Sequence, residues 1–394
     1  MNIMEPLRVC VLTTTRADFG IMRPLIQILC NDPDIDLRVA VTGTHLSEAY
    51  GMTVWEIRNA ELPIDAEIQI LEEENNTPAA MSRIMARALT GFSEYFDTRR
   101  PDLLMVLGDR YEVCAICAAA TNARIPIAHL HGGEATEGLV DECFRHSISK
   151  MSYLHFTSCE AYRRRVIQLG ESPERVFNVG ALGVENARKC NRMTLEELEK
   201  SLDFSLRPQF AVVTFHPVTL EDDSAGEDFS QLLDALDAFP DLRILFTKSN
   251  ADTGGLLINQ MIDHYVNTHQ ERCTSVFSLG MERYMTALQY ASAVIGNSSS
   301  GILETPSFCV PTVNIGDRQK MRIQAKNILN CEPEKTALTR TISRALSDEF
   351  REFVKDTQSP YGDGEVSSKI LSHIKTFLQN GKIDLKKSFY NIDF

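Results

Sequence analysis

Two hydrophobic periods alternate along this chain. Short apolar runs rich in Val, Ile and Leu read as buried strands at 8–14, 37–43, 102–108 and 125–131, with a further extended stretch at 154–158. Between them the apolar positions recur every three to four residues. This helical period covers 19–30, 77–97, the Ala-rich 111–123, 141–151 and 159–169; in the second of these Met81, Ile84, Met85, Ala88, Leu89 and Phe92 share one face. The pattern lapses over 188–208, a polar and charged segment with one helix-like piece, TLEELEKSL, and then restarts. Strands are expected at 209–217, 242–250, 291–301 and 310–319, the last two running out into loops, and helices at 229–239, 255–268, 340–355 and 365–379. Such alternation implies parallel sheets with helices on both faces. Two consecutive runs of it imply two doubly wound α/β domains. Sheets of this kind bind ligands beyond the carboxyl ends of their strands, so the polar residues there are the candidates for function.

Composition narrows the choice. The 394 residues are 43% hydrophobic and 24% charged, ordinary for a globular chain long enough for two cores. A net charge of −14 argues against non-specific binding to nucleic acid or to anionic membranes. It leaves room for an anionic ligand held by local arginines and backbone N–H groups. Ten cysteines are scattered, several inside apolar runs, which fits free thiols in a reducing compartment. Cys114 and Cys117 form a C-x-x-C, but no second pair stands at metal spacing. The first ten residues lack an apolar core of signal-peptide length, and no stretch is apolar enough to span a bilayer. The expectation is a cytoplasmic protein.

In the first half, the opening strand ends in TTTRADFG. Arg16 there stands where a helix begins and can meet a phosphate, or can form a surface ion pair. The next strand ends in VTGTHLSEAYG; His45 is either a ligand donor or a capped loop histidine. Asp109 and Arg110 follow Gly108 in VLGDRYE, placed for binding or catalysis, with helix capping as the alternative for Asp109. The stretch AHLHGGEATEGLVDECFRH is dense in titratable groups: His129, His131, Glu134, Glu137, Asp141, Glu142, Arg145 and His146. Gly132 and Gly133 give a tight turn, and Asp141 and Arg145 stand one helical turn apart. Groups of these types at one strand end suit general acid–base chemistry. In the second half, the strand ends offer His216, Asn250 and Arg318. They also offer a run from Ser298 through Ser299 to Gly301 that can cradle a diphosphate, or can merely cap a turn. Glu304, one turn on, can accept two ribose hydroxyls.

The pieces TRADFG, VTGTHLSEAYG, VLGDRYE, HLHGGE, DECFRHSISKMS, FHPVT, GNSSSGILE and NIGDRQ stand in one order from about residue 8 to 322. In that order the chain resembles the hydrolysing UDP-N-acetylglucosamine 2-epimerases of sialic-acid-type biosynthesis. The resemblance implies a glycosyltransferase-B-like architecture of two Rossmann-like domains with the active site in the cleft between them. It implies an N-terminal domain over 1–187 carrying the acid–base residues, a UDP-binding domain over 188–394, and a terminal helix returning to the first domain. It further implies a UDP-sugar substrate, no cofactor, no metal and a homodimer or homotetramer. In the implied reaction C2 is deprotonated, UDP leaves to give 2-acetamidoglucal, and hydration yields N-acetylmannosamine. Catalytic roles carry over to Asp109 and Asp141. Arg145 and His146 match a basic pair near the sugar. Arg16, Arg110, His216, Asn250, Ser298, Ser299, Glu304 and Arg318 match nucleotide-binding positions. Many family members have a third carboxylate just before the Gly-Gly pair. Here that position is His131, so the third role falls to His131 or to Glu134. The same chemistry on UDP-N,N′-diacetylbacillosamine, a non-hydrolysing epimerase, a glycosyltransferase of the same fold and a sugar-nucleotide sensor are the alternatives.

Overall fold

A computed structural model describes residues 5–71, 77–136, 140–217, 224–249, 255–379 and 383–392. The chain forms two compact units. The first comprises 1–134, 141–185 and 362–394; the second comprises 135–140 and 186–361.

The first unit holds seven strands: β1 (Leu7–Thr13), β2 (Ile35–Thr42), β3 (Ile64–Ile68), β4 (Leu103–Leu107), β5 (Ile127–Leu130), β6 (Leu154–Thr157) and β7 (Val176–Asn178). They make one sheet in the order β3-β2-β1-β4-β5-β6-β7. Every pairing in it is parallel. One core packs Val9, Val11, Val39, Met105 and Leu130 of the sheet against Phe19, Met22 and Leu25 of the Arg16–Cys30 helix. Val366, Ile370 and Ile374 of the Val366–Gln379 helix join the same core. The opposite face is covered by Ile84, Ala88, Phe92 and Phe96 of the Pro78–Arg99 helix, together with the Tyr111–Asn122 helix. Leu89, assigned by periodicity to that apolar face, is 37% exposed.

The second unit repeats the plan with β8 (Phe210–Thr214), β9 (Arg243–Thr247), β10 (Cys273–Val276), β11 (Ala293–Gly296), β12 (Thr312–Ile315) and β13 (Ile328–Cys331). Its order is β10-β9-β8-β11-β12-β13, again all parallel. In both sheets the winding reverses beside the first strand, between β1 and β4 and between β8 and β11. That is where a doubly wound sheet opens a crevice for ligands.

The four strands that hydrophobic pattern did not single out are β3, β7, β10 and β13, and all four are sheet edges. A central parallel strand is buried on both faces and reads as a continuous apolar run. An edge strand is not: in IDAEI of β3 no residue is fully buried. The 340–355 segment, read as one helix, is two. Lys335–Leu346 and Asp348–Val354 meet at Ser347, whose hydroxyl accepts the Phe350 N–H at 3.2 Å and starts the second. Among the described residues no helix is long and apolar enough to cross a membrane.

Candidate active site

In the first unit the predicted residues gather beyond β4 and β5. Asp109 follows Gly108 at the end of β4, and Arg110 starts the Tyr111–Asn122 helix. Asp141 is the first residue of the Asp141–Met151 helix, with Arg145 and His146 one turn further on. Arg145 is buried, and its guanidinium forks between two carboxylates, Asp109 and Glu142. The same side chain donates to the Glu134 carbonyl at 3.1 Å. Glu142 in turn lies 3.1 Å from His146 Nε2. A single buried arginine thus ties together two carboxylates and a backbone carbonyl, and through Glu142 the imidazole as well. Such multiple pairing is what allows a guanidinium to stay buried.

Asp141 stands beside this network. Burial, and after it the charge of Asp109, raises its carboxyl from the usual range to about 6. A carboxyl titrating there can take up or give a proton near neutral pH.

His131 and Glu134 form a second pair. His131 Nδ1 is 3.1 Å from Glu134 Oε1, and Ser158 donates its hydroxyl to the same oxygen at 3.0 Å. The Leu182 N–H points at His131 Nε2 at 3.4 Å, which leaves Nδ1 to carry the proton toward Glu134. His131 holds φ +62°, a conformation non-glycine residues adopt rarely. Gly133, at φ +77°, is forced: a Cβ there would lie 2.5 Å from the Tyr162 carbonyl.

The remaining first-unit candidates lie beyond β1, β2 and β4. Arg16 is exposed at the start of its helix, whose N-terminus is closed by a Thr15–Asp18 capping box. Arg110 pairs with the buried Glu112 at 2.5 Å. His45 is fully buried, with Nε2 2.9 Å from the Thr13 hydroxyl and Nδ1 2.8 Å from that of Thr53. Thr13 also donates its hydroxyl to Asp18 at 2.5 Å, so His45 stands beside the first turn of the Arg16–Cys30 helix.

In the second unit the candidates collect beyond β8, β11 and β12. Asn297 clasps the His216 backbone twice, accepting its N–H at 2.8 Å and donating to its carbonyl at 2.7 Å. The Asn297 carbonyl receives Arg318 at 3.1 Å and Gln319 at 3.0 Å. His216 Nδ1 lies 3.1 Å from the Ser249 hydroxyl, and burial pushes the ring down to about 3, so it is neutral. Ser298 and Ser299 lead into the short Ser300–Leu303 helix, which contains Gly301, and the buried Glu304 closes it. Gly296 before them sits at φ +138°, and a Cβ would come within 1.8 Å of the Thr214 carbonyl, so only glycine lets β8 and β11 close up. Asn250 and Glu137 lie outside the described residues.

Sequence reasoning placed Glu142 in the titratable cluster without a particular role and left other residues of these networks unassigned. Glu142 had a signal, since it stands three and four residues before Arg145 and His146 on one helix. Ser158, Ser249 and Gln319 had none, because their partners are remote or backbone atoms.

One doubly wound unit thus ends in a cluster of ionisable side chains, and the other in a serine- and amide-lined turn at its switch point. The comparison with known proteins carries this further. The chain matches the UDP-N-acetylglucosamine 2-epimerase family over residues 27–375 and belongs to that family. It is 38% identical to the hydrolysing GDP/UDP-N,N′-diacetylbacillosamine 2-epimerase of Campylobacter jejuni, over 99% of this chain and 100% of that one. It is also 38% identical to a polysialic acid biosynthesis protein of Escherichia coli, over 98% and 97%. Its fold matches the UDP-GlcNAc 2-epimerase of Neisseria meningitidis solved with UDP-GlcNAc. There the TM-score is 0.79 at 16% identity, over 94% of this chain and 100% of that one.

Proposed function

We propose that this protein is a hydrolysing UDP-N-acetylglucosamine 2-epimerase, converting UDP-N-acetylglucosamine and water to N-acetylmannosamine and UDP. The C2 proton is removed and the C1–O bond to UDP breaks, giving 2-acetamidoglucal. Water then adds across the double bond, with its oxygen on C1 and a proton on C2 from the opposite face. The sequence is redox-neutral and needs no nicotinamide.

The observation that carries this reading is the meeting of Asp109 and Asp141 around the buried Arg145. Asp141 takes the C2 proton, because a carboxyl titrating at about 6 is largely ionised at neutral pH yet basic for its type. Asp109, anchored by Arg145, holds the second carboxylate role. His131 and Glu134 act as a hydrogen-bonded unit and serve the departing and arriving oxygens. Arg145 and His146 face the charge that develops as the bond to UDP breaks. In the second unit, Ser298, Ser299 and Gly301 receive the diphosphate, Glu304 the ribose hydroxyls, and His216, Asn250 and Arg318 the rest of the nucleotide. Arg16 and Arg110 complete the binding set from the first unit, and the buried His45 supports the turn behind them.

A second reading keeps the chemistry and changes the sugar. The Campylobacter jejuni relative is named for UDP-N,N′-diacetylbacillosamine, which supports that substrate as the alternative. Proton NMR in D₂O with each sugar nucleotide tests both. Free N-acetylmannosamine with deuterium at C2, plus UDP, is the expected outcome. Release of a 2,4-diacetamido sugar alone reassigns the substrate. Formation of a UDP-linked epimer without free sugar, or no turnover of either compound, overturns the hydrolysing reading.

A further inference from the structure

His129 is fully buried in β5, one strand residue before the turn that carries His131 and Glu134. The reaction above uses none of its atoms. Its Nε2 lies 2.7 Å from the Gly108 carbonyl and its Nδ1 lies 3.1 Å from the Ser149 hydroxyl. A carbonyl only accepts, so Nε2 carries the hydrogen and Nδ1 accepts from the serine. The ring is therefore neutral and in one tautomer. Burial, which pushes its titration down to about 3, and the nearby Arg145 cation both keep it so.

The two anchors matter because of what they adjoin. Gly108 immediately precedes Asp109, and at φ +79° it sets the direction of the turn beyond β4. Ser149 lies one turn beyond Arg145 and two beyond Asp141 on the Asp141–Met151 helix. The register brings Val106 of β4, His129 of β5 and His155 of β6 side by side. From this line the imidazole spans the gap between a strand-end turn and a helix that share no backbone hydrogen bond. The fold also makes room for it. A Cβ on Gly132 would lie 2.8 Å from His129 Nδ1 and 3.0 Å from the Ser149 hydroxyl, so Gly132 has no side chain because the histidine and serine fill that space.

We infer that His129 is a positioning residue whose ring ties the Asp109 turn to the helix bearing Asp141 and Arg145, fixing the separation of the two carboxylates. The inference rests on the acid–base roles proposed for Asp109 and Asp141. Its chemistry predicts a difference between two replacements. His129→Phe fills the volume and removes both bonds. His129→Gln keeps a donor that can reach Gly108.

The experiment measures kcat, KM, melting temperature and the ¹³C NMR titration of the Asp141 carboxyl for the wild type and both variants. The expected result is a folded His129→Phe protein with kcat lowered at least about tenfold and KM changed less than about threefold, because misplacing a reacting group costs rate rather than binding. His129→Gln recovers part of that loss. In the free protein, Asp141 titrates lower in His129→Phe than in the wild type, because the Asp109 charge no longer faces it at the same distance. Full kcat in a folded His129→Phe protein overturns the inference. So do equal losses in both variants that merely track the melting temperature while Asp141 titrates unchanged. Should the wild type turn over neither UDP-sugar, the functional reading fails. The Asp141 titration, which needs no substrate, then decides the positioning role by itself.

Discussion

The two units have the same strand order around the switch point, yet what stands beyond the equivalent strands is opposite in kind. After β4 and β5 the side chains are ionisable and bonded mainly to one another: Arg145 to Asp109 and Glu142, Glu142 to His146, His131 to Glu134. After β8 and β11 the groups are largely amides, hydroxyls and backbone atoms, with Asn297 clasping the His216 backbone and its carbonyl held by Arg318 and Gln319. The His216 imidazole there is kept neutral by burial. A shared topology fixes where a ligand is met, and the residue types fix what happens to it. On the proposed reading the first unit moves protons, and the amide, hydroxyl and backbone donors of the second suit holding a diphosphate.

The comparison can be broken most directly at Asp109. Asp109→Asn is expected to lower kcat by about 10³-fold or more while the affinity for UDP, measured by calorimetry, stays within about twofold. A parallel loss of UDP affinity would abolish the division of labour between the units. Next in size is Arg145→Met, which leaves Asp109 and Glu142 without their buried cation. Chemical denaturation should show a loss of about 3–5 kcal/mol, and a loss below about 1 kcal/mol would mean that the network is solvated. In the second unit, Arg318→Ala should weaken UDP binding about tenfold, or about 1.4 kcal/mol, with kcat at saturating substrate nearly unchanged. A larger effect on kcat than on binding would place Arg318 with the proton-moving groups.

The smallest effect sharpens the reading of Asp141. Its carboxyl titrates at about 6 in the fold, above the unfolded value of 3.8, so the folded state binds the extra proton. Its contribution to stability is therefore gained as pH falls from about 6 toward 3.8 and lost above that window. Asp141→Asn should stabilise the protein at pH 8 by roughly 1 kcal/mol, a part of the shift discounted for solvent contact. In the wild type, kcat/KM should fall below about pH 6 as that carboxyl takes up its proton. A variant less stable than the wild type at pH 8 would contradict the buried charge, and a wild-type kcat/KM that stays level from about pH 7 to about pH 5 would assign the base role to another group.

Much of the molecule was legible before its structure. The central strands of both sheets announced themselves as apolar runs because they are covered on both faces, and their ends marked the polar residues to examine. The edge strands β3, β7, β10 and β13 did not stand out, because half-exposed strands lack that run. The amino-acid types at the strand ends, read in order, also determined the family and hence the class of chemistry. Only the tertiary structure decided how those side chains pair. Arg145 pairs with Glu142 on its own helix, but it also bonds Asp109, 36 residues away. Asn297 takes up its bonds with His216 across 81 residues. His129, grouped by residue type with the titratable cluster at that strand end, bridges the Gly108 turn after β4 and the Asp141–Met151 helix. A hydrophobic period depends on one segment and its environment, so it is written locally. A hydrogen bond or ion pair needs two groups within about 3 Å and correctly aimed, and that is set by strand register and helix docking, which no single segment contains.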